Sequence, residues 1–83
     1  MNPRVFADLF DRRGGARLRI AGGQTLYEAG APADALYLVI AGTFAVFRSQ
    51  AGSRTLLGLV RRGDIVGEAA MLAGTPRSAT VVA

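Results

Sequence analysis

Glycine cuts the chain beyond Gly15 into short lengths, and no other feature of its 83 residues restricts the fold as strongly. The eleven glycines, together with prolines and aspartates, separate runs rich in branched and aromatic residues. These runs are Leu18–Ile20, Thr25–Glu28, Ala35–Ala41, Thr43–Ser49, Arg54–Arg61, Asp64–Val66 and Ser78–Ala83. Runs so short, bounded by residues that favour turns and weaken helices, predict strands. Leu36–Ile40 and Phe44–Phe47 are broken only around Gly42, which predicts a tight reversal or a bulge there. Gln50-Ala51-Gly52-Ser53 predicts the loop of a hairpin. The expected fold is mainly β: an antiparallel, jelly-roll-like β-roll.

Two segments depart from this pattern. Asn2–Arg13 reads as a short helix, with Asn2 as its cap and Pro3 in its first turn. Val5, Phe6, Leu9 and Phe10 would share one face, Asp8 and Arg12 would pair four residues apart, and Gly14-Gly15 would stop it. The second is Glu68-Ala69-Ala70-Met71-Leu72-Ala73, made of good helix formers with Gly74 in the stop position. The expected organisation is an N-terminal helical segment over 1–15 that docks on a β-roll over 16–83. A chain of this length holds one small domain, burying roughly 60% of its unfolded surface. A hydrophobic content of 51% is enough for a folded core.

Composition excludes most catalytic chemistries. Without cysteine there is no disulfide framework, thiolate nucleophile or zinc ribbon, and without histidine there is no imidazole base or ligand. Lysine is also missing, which removes the Walker A loop and Schiff-base chemistry. The chain is therefore expected not to be an enzyme by itself. Ten arginines against six carboxylates give a net charge of +4, but they are scattered rather than gathered into the stripe a nucleic-acid surface requires. The longest uncharged stretch, the thirteen residues Ala35 to Phe47, falls short of the ~20 residues of a membrane-spanning helix. No signal peptide is evident, so the expected location is cytoplasmic.

The chemistry concentrates between Gly67 and Val81. Gly67 allows a close backbone approach, and the first amides of the following helical turn have no partners within the helix. Arg77 supplies a planar fork suited to two phosphate oxygens, with Pro76 fixing the chain before it and the Ser78 hydroxyl after it. Glu68 accepts hydrogen bonds when ionised, so it suits a sugar hydroxyl rather than a phosphate. This inventory fits a ligand with one small anionic group beside a ribose.

The string from Gly67 to Ala83, GEAAMLAGTPRSATVVA, resembles the phosphate-binding cassette of the cyclic-nucleotide-binding domain family, which includes regulatory subunits of cyclic-AMP-dependent protein kinase and bacterial catabolite activator proteins. Gly30, the run Ala33–Val39, Gly42 and Gly63-Asp64 match that family's spacing upstream, so the resemblance covers about residues 18–83. It implies an eight-stranded β-roll with the cassette helix embedded in it, and cAMP or cGMP as ligand. By this resemblance Arg77 would grip the exocyclic phosphate oxygens and Ser78 would contact the phosphate. Glu68 would accept from the ribose 2′-hydroxyl, and Gly67, Ala69 and Ala70 would offer backbone contacts. Serine after the arginine leaves the choice between cAMP and cGMP open.

The family pattern continues with a further strand and lid helices that the sequence up to Ala83 lacks, and the apolar surface they cover is expected to favour self-association, as a homodimer for instance. The expected function is that of a regulatory module controlling an output domain beyond Ala83, such as a patatin-like phospholipase or a transcription regulator. The alternative is a degenerate roll in which Glu68 and Arg77 neutralise each other and which serves only as a structural or dimerisation module.

Overall fold

Eight strands and one short helix form in a computed structural model that describes residues 6–12 and 15–83. The strands are β1 (Phe6–Asp11), β2 (Arg17–Ala21), β3 (Thr25–Tyr27), β4 (Tyr37–Ala41), β5 (Thr43–Gln50), β6 (Ser53–Arg61), β7 (Ile65–Val66) and β8 (Thr80–Val82). The helix α1 (Glu68–Ala73) sits between β7 and β8. Two antiparallel sheets result, ordered β2-β1-β4-β7 and β3-β8-β5-β6. The expected mainly β roll with an embedded helix is present.

Glycine punctuation works here by turn chemistry. Ala51 and Gly52 form the two-residue loop of the β5–β6 hairpin, both with positive φ (52° and 79°), the backbone that matches the twist of paired strands. At Gly42 the chain leaves one sheet for the other with φ 81°. A Cβ there would lie 2.8 Å from Cα of Ala7, so only glycine lets the corner pass this close to β1. Leu9, Val39 and Val66 from the first sheet meet Phe44 and Val81 from the second, forming the core with Ala7.

The N-terminal expectation needs correction. Phe6–Asp11 is strand β1 and not part of a helix; Asn2, Pro3, Val5, Arg13 and Gly14 lie outside the described residues. β1 occupies an interior position, bonded to β2 on one edge and β4 on the other, in the same sheet as the strands that follow it. Leu9 is fully buried there and Ala7 nearly so. An i,i+4 pair on a helix contributes only about 0.2–0.5 kcal/mol, whereas burying one leucine contributes about 1.5–3 kcal/mol. The tertiary position therefore overrides the local helical pattern. Asp8 takes Arg19 of β2 as its partner instead of Arg12.

Candidate functional site

The site grows from the segment that joins β7 to β8. Gly67 caps α1 in the left-handed region at φ 91°, and Gly74 ends the helix in the same region. The chain then returns through Thr75 and Pro76 to Arg77, whose backbone is strapped to the turn after β3. The Arg77 N–H donates to the carbonyl of Ala31 at 2.9 Å, and the Gly30 N–H donates to the carbonyl of Arg77 at 2.7 Å. A third bond, from the Ala29 N–H to Oγ1 of Thr80, extends the strap to β8 at 3.1 Å.

Arg77 is 4% exposed, which is unusual for a cation. Nη1 donates to the carbonyl of Gly67 at 2.6 Å, and Nη2 donates to the carbonyl of Ala35 at 2.5 Å. The guanidinium carbon lies 4.3 Å from the centroid of the Tyr27 ring. Nε is buried without a hydrogen-bond partner. The approach to Gly67 is so close that a Cβ there would overlap Nη1, which is the physical reason for glycine at this cap. No carboxylate answers the charge: among the described residues no ion pair joins Arg77 to Glu68 or to any other acid. A buried charge without a counter-charge costs several kcal/mol of desolvation, only partly recovered from neutral carbonyls.

Beside this guanidinium is a hollow of about 260 Å³. Gly67, Glu68, Ala70, Arg77 and Ser78 line it, so five of the six residues expected from the sequence share one cavity. Ala69 lies in the first turn of α1. Glu68 and Ser78 are exposed at the hollow while Arg77 is buried beside it, a gradient from a carboxylate and a hydroxyl outside to a cation inside. Sequence reasoning missed Tyr27, Val46, Val60, Ile65 and Val66, which supply the apolar wall, and the carbonyl of Ala35. Burial pushes the Tyr27 phenol above its ordinary value, against the opposing pull of the Arg77 charge, so the ring remains neutral and hydroxylated at pH 7. Among the described residues there is no cluster of three or more potential metal ligands, and no helix long and apolar enough to cross a membrane.

Residues 17–83 match the family model described as cyclic nucleotide-binding domain. The chain belongs to that family. It is 39% identical over 66 residues to the cAMP-dependent protein kinase regulatory subunit of Aspergillus fumigatus, an alignment covering 80% of this chain and 16% of that protein. Among solved structures, the cAMP-bound form of the EAL enzyme Bd1971 matches with a TM-score of 0.74 and 26% identity, over 77% of this chain and 17% of that one. Its cGMP-bound form matches with a TM-score of 0.71 and 26% identity, over 75% and 17% of the two chains. The N-terminal domain of a transcriptional regulator from Streptomyces coelicolor A3(2) matches with a TM-score of 0.71 and 28% identity, over 93% of this chain and 50% of that one. The chain thus spans 16–17% of the regulatory subunit and the EAL enzyme, and half of the Streptomyces protein. The matched stretch begins at β2, so β1 adds a strand from outside it.

Proposed function

We propose that this chain binds a cyclic nucleotide, cAMP or cGMP, in the hollow beside α1 and acts as a non-catalytic regulatory module of a larger cytoplasmic protein. The observation that carries the reading is Arg77: a cation 4% exposed, held among the described residues by neutral carbonyls and a ring, at the wall of a cavity. The exocyclic phosphate supplies the missing negative charge. Two of the five guanidinium N–H groups are bonded to carbonyls, which leaves three for phosphate oxygens. Ser78 adds a hydroxyl to the same phosphate, and Glu68, free of Arg77, accepts from the ribose 2′-hydroxyl. Gly67, Ala69 and Ala70 offer backbone contacts along the sugar–phosphate.

The likeness to a kinase regulatory subunit and to cAMP- and cGMP-bound structures supports this ligand class, and Ser78 keeps both nucleotides in play. Binding regulates only if it favours one arrangement of a following output domain over another. A transcription regulator or a patatin-like phospholipase is the output we put forward. Homodimer formation belongs to the same reading and is checked by sedimentation with and without nucleotide. The rival reading, a degenerate structural roll, requires Glu68 and Arg77 to satisfy each other, and they do not pair.

Calorimetric titration of the chain with cAMP and cGMP tests the proposal. Saturable binding of either nucleotide is expected, and binding of neither overturns it.

A further inference from the structure

Arg77 is held twice by one small element. Strand β3 has three residues, and its last, Tyr27, stands opposite Val81 of β8. The turn that follows clamps the Arg77 backbone from both sides through Gly30 and Ala31. The ring that precedes this turn lies against the guanidinium, 4.3 Å from its central carbon. The face of an aromatic ring carries negative charge density, and a half-buried site screens the attraction less than water does. A cation stacked on one face also loses freedom to swing about its long side chain, so its unused donors are confined to the plane of the fork. The carbonyls of Gly67 and Ala35 hold the fork at two points, and the ring lies against its central carbon.

We infer that Tyr27 is a positioning residue for the anion site: it acts through Arg77, holding the guanidinium flat so that a phosphate meets a fork already oriented. This rests on the reading that the hollow takes a cyclic nucleotide. The ring is the working part and the hydroxyl is dispensable, which separates this role from a hydrogen bond made by Tyr27 itself. Pre-orientation of this kind raises affinity by lowering the ordering cost of binding, over and above any contact Tyr27 makes as part of the hollow's wall.

The test is calorimetric titration with cAMP of the full chain and variants at position 27. Tyr27→Phe is expected to bind within about twofold of the parent, and Tyr27→Leu roughly two- to thirty-fold more weakly. Phenylalanines carrying one, two or three ring fluorines at this position keep the shape of the ring while draining its face. Affinity should fall stepwise along that series at constant melting temperature, an electronic response that a merely space-filling side chain does not give. If Tyr27→Leu fails to fold, the fluorinated series decides. A folded Tyr27→Leu that binds like the parent, or a flat fluorine series, overturns the inference while leaving the functional reading intact. A parent that binds neither cAMP nor cGMP overturns the functional reading instead. In that event, the ring-current shift of the Arg77 Nε–H resonance in the nucleotide-free protein still reports whether the ring holds the guanidinium. Loss of that shift in Tyr27→Leu supports the hold, and an unchanged resonance refutes it.

Discussion

Two arginines in this molecule have opposite arrangements. Arg19, on β2, has a side chain 65% exposed and grips Asp8 with both arms of its fork, Nε to Oδ1 at 2.9 Å and Nη2 to Oδ2 at 3.2 Å. Its carboxylate partner, not the arginine, is the buried member, with a side chain 11% exposed. Arg77 is the buried one and, among the described residues, pairs with no carboxylate. At Arg19 the protein has completed the charge pair from its own sequence, so the site is saturated and its role is to hold β1 against β2. At Arg77 the protein has spent burial, two carbonyls and a ring on a cation whose counter-charge it does not supply. Burial without an answering charge therefore distinguishes the arginine we propose for binding from the structural one, although both sit on aromatic rings, Arg19 being 5.5 Å from the Phe6 centroid.

The contrast breaks most easily at Arg77 itself. Arg77→Ala should lower cyclic-nucleotide affinity by roughly 30- to 1,000-fold, the loss of a charge-assisted grip of about 2–4 kcal/mol. Calorimetry against the parent reads this directly, with a thermal melt to verify that the variant is folded. Unchanged affinity would mean that the buried cation is structural after all. Gly67→Ala should have the next largest effect. A side chain at φ 91° costs about 1–2 kcal/mol of backbone strain, and its Cβ must push the guanidinium aside. We expect a lower melting temperature together with about tenfold weaker binding. A Gly67→Ala protein that melts lower but binds as tightly as the parent would separate the cap from the site.

How much of this was readable from the sequence depends on how local each feature is. The strands β2 to β8 follow from the spacing of glycines, because each turn is set by the few residues that make it. The cassette is contiguous from Gly67 to Ser78, so its residues could be named before the structure and most of them line one hollow. Tyr27 and Ala35 reach Arg77 across gaps of about forty residues or more, by way of a strand register that no single-sequence pattern encodes. The same limit explains β1. Phe6, Leu9 and Phe10 satisfy a helical period, and the decisive fact is the space between β2 and β4, which lies in other parts of the chain. Asp8 carries the lesson in one residue: its local partner Arg12 was legible, and its actual partner Arg19 is eleven positions away.

The last prediction sharpens the comparison from the structural side and has the smallest effect. The Arg19 guanidinium hydrogen-bonded to Asp8 holds that carboxyl below its ordinary value of 3.8, outweighing the opposing effect of burial. A carboxyl with a lowered value in the folded state stabilises the fold fully above its unfolded value and loses that contribution as pH falls through the folded one. Arg19 remains protonated throughout, so the titration belongs to Asp8 alone. Chemical denaturation of the parent should therefore show stability falling below about pH 4, and Asp8→Asn should flatten that part of the profile. At neutral pH, Asp8→Asn should be modestly less stable yet bind cyclic nucleotide as the parent does, since Arg19 and Asp8 lie outside the hollow. An Asp8→Asn protein with the parent's acid profile would remove the pair from the stability of β1. A loss of nucleotide affinity in that variant would instead couple the outer face of the first sheet to the site, and the two arginines could no longer be treated as separate devices.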